Sequence, residues 1–395
     1  MSVSKTKLLT IAAGTFLMML CSGIVNNSTT YFILPVTEFL GCSTTTFSLY
    51  FTIITACSAM MSLVVGPIAA KIGVRISALI ACAGVGTGFF IMSRLQALWM
   101  VYLGAVFIGI FQTFVVVPTV SVINAWFSKN AGTVTGIAMS ATGFGGLMMG
   151  IIMPHVVASF SWRTGYLIIF CLWVAITLLV SILVGGKPPV QENADGQSSK
   201  EKAEKGDDYK RVISSPVFWI VMLCALINAG VTMITQHMSV LLEINGMSLT
   251  MISFIIGVMT LALALCKIAE GALADKIPVR IMFPGLMIIG AIGYTCLSMH
   301  STPFLLAGVV GESCASASCT VLFPVILRSL YGEETGAHVW GICWAAFMAG
   351  HAIFTPLYAR IYDMTGSYTP GLYMAAVLLL AVGAFITIQL KKKSK

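Results

Sequence analysis

The sequence predicts an all-α integral membrane protein in which twelve transmembrane helices form two pseudo-symmetric six-helix bundles. Three observations lead to this fold class. Of the 395 residues, 58% are hydrophobic and only 9% are charged, whereas a soluble domain carries roughly 25% charged residues. Twelve apolar segments are long enough to cross a bilayer, since a spanning helix needs about 20 mostly apolar residues. The two halves of the chain also resemble one another.

Gly, Pro and charged residues divide the chain into the twelve predicted helices. They cover residues 8–33, 45–70, 76–94, 97–125, 131–158, 163–186, 216–242, 248–274, 279–299, 302–328, 337–361 and 368–390. The first segment follows Lys5 and Lys7, but it is longer than the apolar part of a signal peptide and lacks a clear cleavage site. We therefore expect it to be retained as the first helix.

The basic residues predict the orientation in the membrane. With the amino terminus inside, all but four of the 22 Lys and Arg residues fall on the cytoplasmic side, as the positive-inside rule requires. The exceptions are Arg94, Arg163, Arg360 and Lys267. We expect a multi-pass protein of the cell membrane with both termini in the cytoplasm. The net charge of +8 then reflects topology, so lipid is an expected partner and nucleic acid is not.

The chain divides into an N-terminal bundle (1–186), a cytoplasmic linker (187–214) and a C-terminal bundle (215–395). The linker carries six basic and six acidic residues, a composition typical of mobile segments. On either side of it, GPIAAKIGVR (66–75) and GALADKIPVR (271–280) agree at six of ten positions, 205 residues apart. Because six is an even number of helices, we expect parallel repeats related by an axis along the membrane normal.

These two segments resemble the loop signature of the major facilitator superfamily. Four further segments are similar to the branch that contains oxalate:formate antiporters and monocarboxylate transporters. They are NAWFSKNAGTVTGI (124–137), SWRTGY (161–166), SSPVFWIVMLCALINAG (214–230) and YARIYDMTGSY (358–368). The resemblance covers the whole chain and implies the major facilitator fold. It also implies a secondary active transporter that works by alternating access. The sequence shows no nucleophile elbow and no His/Asp/Glu cluster at metal spacing, so we expect neither enzymatic activity nor a cofactor.

The resemblance also implies a latch. In the family, the acid of the loop signature helps to hold the cytoplasmic side closed. The first signature has Ala70 where the family usually has aspartate, whereas the second keeps its acid. We therefore expect a lopsided latch, and the alternative is a pair of ordinary helix ends rich in basic residues. The candidate latch residues are Asp275, Lys276, Arg280, Lys71 and Arg75.

The strongest candidates among the ionisable residues at depth in the predicted membrane segments are Lys267 and Glu270 on the eighth helix and Glu312 on the tenth. A charge at the membrane centre costs about 2.5–3.5 kcal/mol, so it is usually functional. Glu312, among small residues, is the first candidate for proton coupling, and Glu270 is the second. A spacing of three places Lys267 and Glu270 on one helical face. The sequence leaves open which acid pairs with the lysine.

In the resembling branch, an arginine four residues before the glycine of the second signature contacts the carboxylate of the substrate. That position is Lys267 in this chain, so the resemblance implies an anion-binding lysine, which lacks the planar fork of arginine. No Lys or Arg lies between Arg328 and Arg360, so the second cation of oxalate transporters is absent. One cation favours a monocarboxylate. The alternative is a closed ion pair of Lys267 with Glu270 or Glu312.

Several polar and aromatic residues are candidates for the substrate pocket, and each could instead pack between helices. The main candidates are Tyr31, Asn27, Gln112, His237, Trp344 and His351, with Asn26, Thr142, Gln236 and Trp340 as further ones. No two histidines lie three or four residues apart, so the sequence has no helical metal motif. We predict no metal site.

The sequence thus predicts a transporter of a small organic anion, in the simplest case a monocarboxylate, driven by protons or by exchange for a counter-anion. We expect it to act as a monomer. One alternative is an exporter of amphipathic drugs, which the 23 Met and 22 Phe residues would suit. Another is a transporter-like membrane sensor that signals through the linker.

Overall fold

Within the described residues the fold is all-α, with twelve helices long and apolar enough to cross a membrane. A computed structural model describes residues 5–42, 44–127, 130–184, 211–299 and 301–393. We number the main helix of each span as α1 (Lys5–Ser28), α2 (Thr44–Ile72), α3 (Val74–Ser93), α4 (Leu98–Trp126), α5 (Ala131–Ser159), α6 (Trp162–Leu183), α7 (Pro216–Val231), α8 (Leu249–Ala274), α9 (Val279–Leu297), α10 (Thr302–Tyr331), α11 (Glu333–Thr365) and α12 (Thr369–Lys393). The predicted fold class is confirmed.

The helix packing repeats between the two halves of the chain. In the first half α1 packs on α5, α2 on α4 and α3 on both α4 and α6. In the second half α7 packs on α11, α8 on α10 and α9 on both α10 and α12. Each of these pairs has its equivalent six helices later, so the two bundles are pseudo-symmetric. Most of the predicted linker, residues 187–210, lies outside the described part of the chain.

The predicted first and seventh helices are both interrupted. After α1 the chain forms a 3₁₀ turn, Thr29–Phe32, and a short helix, Ile33–Leu40. After α7 it forms a 3₁₀ segment, Thr232–His237, and a short helix, Met238–Ile244. The breaks fall at equivalent points of the two repeats. Residues 8–33 and 216–242 are therefore not continuous helices, and the predicted boundaries of these two helices are wrong at the breaks.

The break after α7 has an identifiable cause. The carbonyl of Val231 accepts one hydrogen bond from the Tyr294 hydroxyl at 2.9 Å and another from the Tyr358 hydroxyl at 2.8 Å. A backbone carbonyl has two lone pairs, and both are thus engaged by side chains. The following turn tightens into 3₁₀ geometry, a common arrangement where a helix is interrupted. Thr232 supports the turn by donating to the carbonyl of Ala229 at 2.8 Å.

The two bundles meet closely through α5 with α8 and through α2 with α11. These contacts lie near one end of the molecule, where α2 and α8 end, and we call it the signature end because residues 66–75 and 271–280 lie there. A Cβ on Gly271 would overlap the carbonyl of Gly132 and lie 2.8 Å from the Cα of Gly136. Small residues of this kind let helix backbones approach. The α5–α8 contact therefore requires glycine on both helices.

Candidate functional site

Lys267 lies on the side of α8 that faces α5. Its side chain is only 6% exposed. The ammonium donates a hydrogen bond to the Thr142 hydroxyl at 2.9 Å and another to the Met139 carbonyl at 3.3 Å. Both acceptors are neutral oxygens of the opposite bundle. In the described part of the chain, no carboxylate is among the hydrogen-bond partners of Lys267.

The local packing explains how a lysine of one bundle reaches the backbone of the other. A Cβ on Gly136 of α5 would overlap the carbonyl of Lys267 and lie 3.2 Å from the nitrogen of Gly271. The two helix axes are therefore close where the lysine side chain leaves α8. On the opposite face of α8, Leu261 and Leu265 are exposed, as expected for lipid-facing positions.

Glu270 is one turn from Lys267 on α8 and is 2% exposed. Its Oε2 atom accepts a hydrogen bond from the Ser318 hydroxyl of α10 at 3.0 Å, and its Oε1 atom has no hydrogen-bond partner among the described residues. Glu270 and Lys267 attract one another electrostatically, but they are not hydrogen-bonded. The carboxylate therefore contacts α10 while the ammonium contacts α5.

Glu312 of α10 is 1% exposed and lies on a different face from the residues that contact α8. Those residues include Cys314, whose Sγ is 3.4 Å from the Sγ of Cys266. Two positions along a helix correspond to a rotation of about 200°, so Glu312 and Cys314 point to different sides of α10, although Glu312 still interacts electrostatically with Cys266 of α8. Its electrostatic neighbours include Tyr294 of α9 and Tyr358 of α11. The structure does not bring Glu312 and Lys267 together.

Asp275, just after α8, contacts the first turn of α5. Its carboxylate accepts hydrogen bonds from the backbone N–H of Gly132 at 2.9 Å, the backbone N–H of Thr133 at 2.7 Å and the Thr133 hydroxyl at 2.6 Å. The first N–H groups of a helix lack partners within the helix, and its positive dipole end attracts an anion. Asp275 thus caps a helix of the other bundle. The other four candidate latch residues are exposed: Lys71, Arg75, Lys276 and Arg280.

The structure places two of the other candidates away from Lys267. His237 contacts the Thr355 carbonyl through Nε2 at 3.0 Å and the Tyr368 hydroxyl through Nδ1 at 3.3 Å. Both ring nitrogens are therefore engaged inside the C-terminal bundle. Gln112 of α4 donates to the Ser58 hydroxyl of α2 at 3.0 Å, so it joins two helices of the N-terminal bundle.

The remaining candidates lie on three helical segments. Tyr31 is half-buried in the 3₁₀ turn, with its hydroxyl 3.0 Å from where a Cβ on Gly150 of α5 would lie. Trp344 and His351 are half-buried on α11, and the ring of Trp344 packs against Trp340 with 6.0 Å between centroids. The side chain of Asn27, in the last turn of α1, lies outside the described part of the chain.

Two contacts of the site had little or no signal in the sequence. Thr142 was one of many pocket candidates, and only the structure places it against Lys267. Ser318 lies in a run of small residues on α10, and nothing in that run distinguishes the hydroxyl that meets Glu270. Over the described ranges, no group of three or more His, Cys, Asp or Glu residues could hold a metal ion.

An open cavity of about 360 Å³ lies at the signature end. Its walls come from the start of α5, the end of α8 and the second half of α10, and they include Thr135, Asp275 and Arg328. Lys267 is not part of this lining. The cavity therefore adjoins the contact between Asp275 and α5 rather than the buried lysine.

Two pseudo-symmetric six-helix bundles, in contact at one end and with a buried cation between them, are typical of a class of membrane transporters. A sequence model of the Major Facilitator Superfamily matches residues 12–262. The chain belongs to this superfamily, and the resemblance drawn from its loop signatures is confirmed.

The following relatives match this chain at low sequence identity. "MFS-type transporter eupM" from Phoma sp. is 29% identical over 144 residues, which are 36% of this chain and 51% of that protein. Human "Monocarboxylate transporter 12" is 20% identical over 349 residues, 79% of this chain and 66% of that protein. The matches thus span about half and just under two thirds of these relatives. The solved human organic anion transporter MFSD10 superposes with a TM-score of 0.74 at 13% identity, over 95% of this chain and 99% of that one, which shows the fold.

Proposed function

We propose that the protein is a secondary active transporter of a small organic anion with one carboxylate, working by alternating access. The observation that carries the proposal is Lys267, a 6% exposed cation whose described hydrogen-bond partners are neutral oxygens. Glu270 attracts the ammonium without a hydrogen bond to it, so the cost of burying this charge, several kcal/mol per ion, is only partly offset. An anion from outside the chain would offset that cost. The human relative whose name is monocarboxylate transporter supports the same substrate class.

The preference for a single carboxylate comes from the number and kind of cations. Between Arg328 and Arg360 the sequence has no Lys or Arg, so α11 offers no second cation over most of its length. Lysine is a compact point charge with three rotatable donors. It can meet one carboxylate oxygen without fixing the plane of the group, so we propose that several small monocarboxylates are accepted.

We propose Glu270 as the proton-coupling acid, ahead of Glu312. Both acids have an Oε1 atom without a hydrogen-bond partner in the described structure, but Glu270 is the carboxylate that attracts Lys267. A proton on Glu270 would remove the negative charge that competes with an incoming anion for Lys267. Glu312 has Tyr294 and Tyr358 among its electrostatic neighbours and is a second protonatable group.

The contact between Asp275 and the first turn of α5 supports a latch that acts on one side. Ala70, at the equivalent position of the first repeat, has no side-chain acceptor to offer α11. We propose that Asp275 holds the signature end closed in the conformation described here. With the signature end in the cytoplasm, as the basic residues predict, this latch acts on the cytoplasmic side.

Uptake of radiolabelled lactate, acetate and oxalate into proteoliposomes tests the proposed function. We expect the wild type to take up a monocarboxylate in exchange for internal anion or with an inward proton gradient. Lys267→Ala should lower the uptake at least tenfold, because one charged contact contributes about 1.5–3 kcal/mol. Lys391→Ala, which removes an exposed lysine near the end of α12, is the matched control. Undiminished uptake by Lys267→Ala would refute the anion site.

A further inference from the structure

We propose that Thr142 is a positioning residue that holds the Lys267 ammonium on α5 whenever no anion is bound, so that the anion must displace this contact in order to bind. The inference rests on the proposed function. Thr142 would then have two effects. Its hydroxyl lowers the apparent affinity of the carrier for the anion, and its bond to Lys267 joins the two bundles in the empty carrier. Anion binding would then release α8 from α5 at this point.

The geometry of the acceptor is fixed within α5. The Thr142 hydroxyl donates its own hydrogen to the Met139 carbonyl at 2.8 Å. Its lone pairs therefore remain to accept from Lys267, whose Nζ lies 2.9 Å from Oγ1 and 3.3 Å from the same carbonyl. The three groups form a closed triangle of hydrogen bonds. The bond within α5 orients the Thr142 oxygen as an acceptor independently of Lys267.

Both acceptors can be displaced by a carboxylate. The ammonium is a charged donor whether it contacts the oxygens of α5 or a carboxylate. A hydrogen bond is stronger when the acceptor is charged as well as the donor. A neutral hydroxyl and a neutral carbonyl satisfy the buried ammonium less well than an anion would. They are therefore suited to hold Lys267 in the empty carrier and to release it when a carboxylate arrives.

The contact joins two parts that are each anchored in their own bundle. On the α5 side, a Cβ on Gly23 of α1 would overlap the backbone of Thr142, so this turn of α5 is packed directly against α1. On the α8 side, Glu270 is bonded to Ser318 of α10. Displacement of the ammonium therefore breaks a bond between the two bundles, with the helices on each side held in place.

In the described structure, polar contacts join the α5 and α8 segments at two places, and the bond between Lys267 and Thr142 is the second of them from the signature end. The first is Asp275 at the signature end, which accepts from Gly132 and Thr133. Anion binding at Lys267 leaves the Asp275 contact intact and removes the one nearer the membrane centre. Binding would thus lower the free energy needed to separate α5 from α8, and the anion itself would link its binding to the opening of the signature end.

The test compares Thr142→Val with Thr142→Ser in proteoliposome exchange of the monocarboxylate that the wild type transports best. Valine keeps the shape of threonine but removes the acceptor. We expect its KM to fall at least tenfold, since a hydrogen bond from a charged donor contributes about 1.5–3 kcal/mol. We expect its kcat to change by less than twofold. Thr142→Ser keeps the hydroxyl and should restore the wild-type KM. Thr87→Val, on the exposed side of α3, controls for the substitution itself.

A residue needed only for packing would behave differently, because serine loses the methyl group and valine does not. An unchanged or raised KM in Thr142→Val would overturn the inference, as would an equal change in both variants. If the valine variant does not fold, Thr142→Ala removes the same acceptor and carries the same expectation. Loss of uptake in Lys267→Ala with a wild-type KM in Thr142→Val refutes this inference alone. Undiminished uptake in Lys267→Ala refutes the proposed function as well.

Discussion

At the scale of single residues, the buried charges have different neighbours. Lys267 contacts neutral oxygens of α5, Glu270 contacts a hydroxyl of α10, and Glu312 lies near tyrosines of the C-terminal bundle. The sequence placed Lys267 and Glu270 on one helical face from their spacing. It could not show that their side chains contact different helices, because that depends on residues 125 and 48 positions away in the chain.

Glu270→Gln tests which acid couples anion movement to protons. The amide keeps the size of the carboxylate but neither carries its charge nor exchanges a proton. We expect uptake driven by an inward proton gradient to fall at least tenfold. Exchange of labelled for unlabelled anion without a gradient should stay within about threefold of the wild type, since coupling groups act through their protonation. Parallel flux assays on Glu312→Gln provide the comparison. Loss of gradient-driven uptake in Glu312→Gln alone would assign coupling to Glu312.

At the scale of elements, the interrupted α7 shows where sequence patterns fail. Residues 216–242 are continuously apolar apart from a few polar side chains, and no proline marks the break at Thr232. The cause is the Val231 carbonyl, whose two hydrogen-bond donors are 63 and 127 residues further along the chain. Hydropathy predicts that the segment spans the membrane. Hydropathy contains no information about side chains of other helices that donate hydrogen bonds to a carbonyl of this one.

Tyr294→Phe and Tyr358→Phe test the role of these hydroxyls. Each single change removes one hydrogen bond and should lower the free energy of unfolding by about 1 kcal/mol. The double variant leaves the buried Val231 carbonyl without either donor, which adds the cost of an unsatisfied polar group, about 1–3 kcal/mol. The decrease in thermal stability in detergent should therefore exceed the sum of the two single decreases. Strict additivity of the three melting temperatures would contradict this account.

At the scale of the whole molecule, the internal duplication predicts most of the architecture. Two parallel repeats of six helices follow from the similarity between residues 66–75 and 271–280, and the packing pairs recur accordingly. The difference between the repeats was also visible in the sequence, since Ala70 replaces the acid that Asp275 retains. The three hydrogen bonds of Asp275 to α5 could not be predicted from the sequence, because the residues involved lie 142 and 143 positions apart.

Asp275→Asn tests the latch through the backbone N–H groups that Asp275 caps. The amide side chain keeps an acceptor oxygen but loses the charge that the start of α5 attracts, a change of about 1 kcal/mol. We expect the backbone N–H groups of Gly132 and Thr133 to exchange with deuterium about fivefold faster, measured by mass spectrometry on the purified protein. Asp363→Asn, an exposed aspartate just before the end of α11, is the control. Unaltered exchange at the start of α5 would mean that Asp275 does not hold this contact.

The two tyrosines on Val231 also bear on the order in which the protein is assembled. Tyr294 and Tyr358 belong to α9 and α11, which leave the ribosome well after α7. Until both have entered the membrane, the carbonyl of Val231 has neither of its donors, and an unsatisfied group in lipid costs several kcal/mol. We therefore expect residues 216–244 to enter the bilayer as one continuous helix. The break would form late, when α9 and α11 dock, so that part of the secondary structure is completed only with the tertiary fold.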